Sequence, residues 1–302
     1  MKKRVLLKDI AERSGLTVNT VSRALKNKSD IAPSTREYIQ ALALEMGYIP
    51  DIVAASLRQG YTNTIGVMFD NISNPYYMIM AEHLNNLTIA EGNTYFSVEE
   101  GTLYNLDKTN IIAVLPGWHY ENYVIKSSVT KIVNNAFAHC PYIKAITYEE
   151  SSNLTSIGHQ AFNQCKSLTS ITLPNTLNEI EWGAFESCIN LTEITIPTGI
   201  TKISYGLLRY CESLKKVTFL GNIQEISEYA FENCVALDYI IIPSTVVKIG
   251  DYAFDDCNNL TIFAEADQKP EAWNENWNYS NRPVYWAGEW HLENGIPVPN
   301  NP

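Results

Sequence analysis

The sequence predicts a multidomain chain: an all-α headpiece with an added short helix, followed by a solenoid of short parallel strands, mainly β with short helices. Three observations carry this reading. Six cysteines (Cys140, Cys165, Cys188, Cys211, Cys234 and Cys257) recur at gaps of 25, 23, 23, 23 and 23 residues. After each of them, apolar and polar residues alternate with the period of a half-buried strand. Ahead of the repeats, residues 1–60 instead show helical periodicity broken by glycine and proline.

The headpiece is built from short helices. Lys8 to Gly15 reads as a helix that ends at glycine, the residue that adopts a left-handed turn at least cost. The Thr17 hydroxyl caps the next helix, Val18 to Leu25. That helix sets Val21, Ala24 and Leu25 on one face and leaves Asn19, Thr20 and Arg23 on the other. A short helix, a glycine turn and a polar-faced second helix form the helix-turn-helix layout, whose second helix enters the major groove of DNA. A third helix starts near Pro33, carries an apolar stripe of Tyr38, Ile39, Leu42 and Met46, and stops at Gly47. Tyr48-Ile49-Pro50 breaks the chain, and Asp51 then caps a short segment from Ile52 to Arg58.

Charge divides the chain in the same place. The net charge is −11, but residues 1–60 hold ten Lys/Arg against six Asp/Glu, a balance of +4 that leaves −15 for the rest. A basic head on an acidic body points to an anionic partner at one end only. No stretch approaches the ~18 apolar residues of a membrane span. Lys8, Asp9, Glu12 and Arg13 interrupt any secretory signal, so no membrane association and a cytoplasmic location are expected.

Alignment on the cysteines exposes the repeat. Isoleucine stands eight residues before each one: Ile132, Ile157, Ile180, Ile203, Ile226 and Ile249. Alanine stands four before and phenylalanine three before, except in the fourth copy, which has Leu207 and Leu208. Ile143 or a leucine follows at three after, and Pro174, Pro197 and Pro243 close the strand that comes next. One such unit cannot bury its apolar face, whereas stacked units bury a continuous one. Equivalent cysteines then point inward as small apolar groups. Equivalent repeat positions make disulfides a poor reading, and the lack of any C-x-x-C or His-x-x-His pair makes zinc one. Near the end, Trp273, Trp277, Trp286 and Trp290 read as an aromatic cover for the last open repeat, in preference to a carbohydrate platform.

The repeat I-x-x-x-A-F-x-x-C-x-x-L-x-x-I-x-I-P resembles the BspA-like leucine-rich repeats of bacteria. The segment from Ser97 to Ile112 looks like that family's hairpin-like flank, and Asn85 to Ile89 repeats Asn258 to Ile262 as a truncated first unit. The head is similar to the lac repressor family of transcription regulators through the run from Leu7 to Leu25, then Ser34 to Glu37, Gly47 to Pro50, and Ala54 to Arg58. That resemblance implies base reading by Val18, Asn19 and Arg23. It implies phosphate contacts by Thr17, Thr20, Ser22 and Thr35. It also implies a hinge helix in which Leu57, with Ala54 beside it, wedges into the minor groove. Arginine can donate two bonds to guanine, and asparagine pairs with adenine. Hydroxyls hold phosphates, and an apolar wedge lets the duplex kink.

The same family's effector domain is expected to be cut short. Thr62 to Phe69 resembles its first strand and Asp70 to Tyr77 the following loop, and the likeness stops near Ala81 to Leu84. The expected organisation is therefore a DNA-binding head with hinge helix at 1–60, a remnant or linker at 61–84, the repeat solenoid with its aromatic cap at 85–290, and a flexible tail at 291–302. A sequence-specific transcription regulator follows, with the repeats as a protein-interaction module in place of a small-molecule effector domain. Its partners would be double-stranded DNA, palindromic if the chain is a homodimer, and an unknown protein on the repeat surface. The exposed strand positions Thr169, Ser170, Thr172, Glu193, Lys215, Lys216 and Tyr239 are candidates for that surface. The alternative is a repeat-based interaction protein whose head is non-functional or accidentally fused. No enzyme, cofactor or metal is expected: there is no phosphate-binding glycine loop, nucleophile elbow or metal-ligand spacing. The histidines (His83, His119, His139, His159 and His291) are scattered.

Overall fold

The computed structural model describes residues 5–25, 28, 30–46, 93–115 and 119–300. Two compact units divide the chain, one within residues 1–68 and one within 69–302. Ala54, Leu57, the linker at 61–84 and the truncated unit at 85–89 lie outside the described residues.

The first unit contains α1 (Leu7–Ser14), α2 (Val18–Leu25) and α3 (Pro33–Met46). Gly15 ends α1 at φ 69°, as the glycine stop requires. At the other end of α1, the Asp9 carboxylate accepts the Leu6 amide at 2.7 Å. Ile10 and Ala11 of α1, Val21 and Ala24 of α2, and Ile39, Leu42 and Ala43 of α3 form the core, with Leu25 and Met46 packed at its edge. The α3 stripe differs from expectation in one residue. Ile39, Leu42, Ala43 and Met46 keep helical spacing, so Tyr38 is rotated about 100° off the stripe and is exposed. At roughly 1.5–3 kcal/mol for each large side chain buried, so small a core gives only marginal stability.

The second unit opens with an antiparallel meander of β1 (Phe96–Glu99), β2 (Thr102–Asn105) and β3 (Asn110–Val114). From β3 the pairing turns parallel, through β5 (Lys131–Ile132), β7 (Ser156–Ile157) and β9 (Glu179–Ile180). It resumes as β11 (Lys202–Ile203), β13 (Glu225–Ile226) and β15 (Lys248–Ile249). A second parallel ladder runs through β4 (Asn122–Ile125), β6 (Ala145–Tyr148), β8 (Ser170–Ile171), β10 (Glu193–Ile196) and β12 (Lys216–Phe219). It continues in β14 (Tyr239–Ile242), β16 (Thr261–Ala264) and β17 (Val284–Tyr285). Register is set by the repeat itself, with Ile132 opposite Ile157 and Ile157 opposite Ile180. A slip of one residue would turn the isoleucine column out to solvent.

The alanine-phenylalanine segment between the two strands of each unit is a run of turns. The reason is a pair of left-handed residues. Five before each cysteine stand Asn135, Gln160, Gly183, Gly206, Tyr229 and Tyr252, and one before stand His139, Gln164, Ser187, Tyr210, Asn233 and Asp256, all at positive φ. A right-handed helix cannot pass through them. Each non-glycine in that region costs roughly 1 kcal/mol. The return is a set of amides aimed at the next turn. Phe137, Phe162, Phe185, Leu208 and Phe231 donate at 2.8–3.0 Å to the carbonyls of Ala161, Ala184, Leu207, Ala230 and Ala253.

The cysteines do more than fill space. The thiols of Cys165, Cys188, Cys211, Cys234 and Cys257 donate to the carbonyls of Phe137, Phe162, Phe185, Leu208 and Phe231 in the turn before, at 3.0–3.2 Å. Each of those carbonyls also accepts the amide of its own unit's cysteine. All six cysteines are buried and reduced. Asparagine side chains also bind the turn before. Asn153, Asn190 and Asn259 donate to the carbonyls of Ser127, Lys166 and Val235 at 2.7–2.9 Å.

The end of the solenoid is closed by tryptophan. Trp273 and Trp277 are buried, and the Trp273 indole donates to the Val246 carbonyl at 3.1 Å. Trp277 meets Phe254 edge to face. Rings buried in this way cannot serve as a sugar platform. Residues after Trp290 were expected as a flexible tail. Most of them form a hairpin instead, β18 (Trp290–Glu293) with β19 (Ile296–Pro299), because Asn294 and Gly295 take the positive φ of a tight turn.

Two outcomes follow from the thiol ladder. Cys188→Ala removes a donor and leaves a small void, so it should lower solenoid stability by about 1–3 kcal/mol, read as a shifted denaturant midpoint. Burial also pushes every thiol from Cys140 to Cys234 upward, Cys165 to about 12. A thiol that ionises only when unfolded favours the unfolded state as pH rises. Stability should therefore fall above about pH 9, by up to about 1.4 kcal/mol per pH unit for each thiol. Tryptophan-monitored unfolding at pH 7, 9 and 10 checks this.

Candidate nucleic-acid interface

The residues assigned to DNA by resemblance converge on α2 and the start of α3. Thr17 precedes α2 and caps it: the Thr20 amide donates to Thr17 Oγ1 at 3.1 Å, and the two hydroxyls lie 2.9 Å apart. This cap leaves Val18 and Asn19 exposed at the first turn, with Thr20 and Ser22 half-buried. Arg23 follows Asn19 by one helical turn on the same outward face and is exposed. Thr35, half-buried, stands in the first turn of α3. Val21 and Ala24, buried against α1 and α3, hold the helix by its other face. An exposed row of Val18, Asn19 and Arg23 therefore sits on a packed helix, flanked by hydroxyls. The hinge residues Ala54 and Leu57 lie outside the described residues.

Sequence reasoning missed Asp30. Its carboxylate accepts from Arg23 Nε at 2.9 Å on Oδ2, and the same oxygen pairs with Arg23 Nη2 at 2.6 Å. The hydrogen bond to Arg23 holds the Asp30 carboxyl below its usual range, and the same bond raises Arg23. Asp30 is the one acid between Lys26 and Ala32, and that was the available signal.

On the repeats, the candidate partner positions Thr169, Ser170, Thr172, Glu193, Lys215 and Lys216 are exposed, and Tyr239 is half-buried. Ser170, Thr172, Glu193, Thr195, Lys216 and Thr218 border one shallow groove on the outer face of β8, β10 and β12. Among the described residues, no helix is long and apolar enough to cross a membrane.

The fold and this face define a helix-turn-helix DNA-binding headpiece in one chain with a leucine-rich-repeat solenoid. Residues 6–51 belong to the lacI family of bacterial regulatory proteins, and residues 119–261 form a BspA type leucine rich repeat region in six copies. The chain is 37% identical over 100 residues to the HTH-type transcriptional regulator MalR of Clostridium butyricum, across 33% of this chain and 29% of that one. It is 34% identical over 88 residues to the HTH-type transcriptional repressor PurR of Erwinia tasmaniensis, across 29% and 26%. The chain thus spans under a third of the length of either regulator. A leucine rich cell surface protein from Faecalibacterium prausnitzii superposes with a TM-score of 0.51 at 28% identity, covering 62% of this chain and 58% of that one. The pneumococcal vaccine antigen PcpA superposes with a TM-score of 0.54 at 23% identity, covering 67% and 50%, which speaks to the fold alone.

The cap gives a direct test of local stability. Thr17→Ala removes the acceptor for the Thr20 amide and should cost the headpiece about 1 kcal/mol, read as a lower melting temperature of its helical circular dichroism.

Proposed function

We propose that the chain is a sequence-specific DNA-binding transcription regulator, in which the repeat solenoid is a protein-interaction module in place of a small-molecule effector domain. The observation that carries this is the outward row of Val18, Asn19 and Arg23 on a helix packed through Val21 and Ala24. Base reading falls to those three residues. Thr17, Thr20, Ser22 and Thr35 contact phosphates, and Leu57 with Ala54 enters the minor groove from the hinge. With the effector domain cut short, no small inducer controls binding, and the chain works in the cytoplasm, where its DNA lies. One head offers few contacts, so tight binding requires two heads on a palindromic site. The repeats, or a partner held on their β8–β10–β12 face, bring the two heads together.

Selection of the full chain against random double-stranded DNA at about 0.15 M salt tests this, since non-specific phosphate binding is weakened there. A palindromic site with a guanine in each half should emerge. Arg23→Ala should weaken binding to that site by about 1–3 kcal/mol and relax the guanine position. Recovery of no preferred site would overturn the proposal.

A further inference from the structure

We infer that Asp30 is a positioning residue for base reading, holding the Arg23 guanidinium end-on for a guanine. This rests on the DNA-reading proposal and names a residue that neither the motif nor the resemblance assigns.

The geometry is specific about which donors are used. An arginine has five N–H groups: one on Nε and two on each terminal nitrogen. Asp30 Oδ2 takes the Nε–H at 2.9 Å and lies 2.6 Å from Nη2 as an ion pair. Both contacts lie on the inner side of the fork. Both Nη1 hydrogens and the outer Nη2 hydrogen remain, and they include the end-on pair that matches guanine O6 and N7. The pair is outward facing, with Arg23 45% and Asp30 52% exposed. The main chain fixes the carboxylate in turn: the Lys28 amide donates to the Arg23 carbonyl at 3.1 Å, and the Ile31 amide to the Lys28 carbonyl at 3.2 Å.

A free arginine side chain carries large rotamer entropy and seeks any phosphate. Tethered to Asp30, it keeps one orientation, and a carboxylate on the DNA face repels phosphate. Both effects favour the correct base over generic binding. The rival role, in which Asp30 merely sequesters Arg23 from DNA, predicts that its removal tightens all binding equally. The two roles therefore differ in the discrimination ratio and not only in affinity.

The test uses the full chain and the isostere Asp30→Asn, which removes the charge and leaves the main chain free to keep its turn. Binding is measured to the site selected by the native chain, to the same site with its guanine changed to adenine, and to unrelated duplex. Asp30→Asn should bind unrelated duplex more tightly, while its guanine-over-adenine preference falls by about tenfold. Matching helical melting curves exclude unfolding as the cause. If native chain discriminates and Asp30→Asn discriminates equally well, this inference fails alone. If native chain shows no guanine preference, the DNA-reading proposal fails and this inference with it.

Discussion

The repeat domain depends on one backbone position, the carbonyl three residues before each cysteine. It accepts the cysteine amide of its own unit and the cysteine thiol of the next. The amide uses one lone pair of this buried carbonyl, and the second still wants a donor. The thiol meets that need without placing a hydroxyl or a charge in an apolar interior. The amide of the same residue reaches forward to the next alanine carbonyl. Successive turns are thus joined through both backbone groups of one residue. The phenylalanine rings stack in the register this imposes, 4.8 Å apart for Phe137 and Phe162 and 5.3 Å for Phe162 and Phe185.

The solenoid was legible because its sequence states the same rule six times. Position-by-position agreement at the isoleucine, alanine, phenylalanine, cysteine and leucine columns marked which side chains face inward. What the cysteines bond to was not legible, since donation to a neighbouring turn depends on how closely the turns approach. The turns themselves were hidden for a related reason. Ala-Phe segments have good helical character, and the left-handed residues beside them include Tyr229 and Tyr252, which no propensity would place there. The hairpin at the end was missed, although Asn294-Gly295 is a strong turn signal.

The head was legible through its cap, its glycine and its polar face. Tyr38 was misplaced because apolar character was counted ahead of angle around the helix. Asp30 was missed because an acid on a surface that must meet phosphate reads as background. Its distance to Arg23 gives it a role, and that distance arises from the path of the chain between α2 and α3. The two units also differ in kind. The head offers a few precisely spaced donors on a small core, and the solenoid offers a long core with an outer face. On the proposed function, a head of that size gains affinity by being doubled, with the repeats as the surface that brings the pair together.

The mass of the complex between the full chain and its selected palindromic duplex tests the account most directly. Sedimentation or mass photometry should find two chains on each duplex, with binding that steepens with protein concentration. One chain per duplex at saturation, with no second chain added, would contradict it.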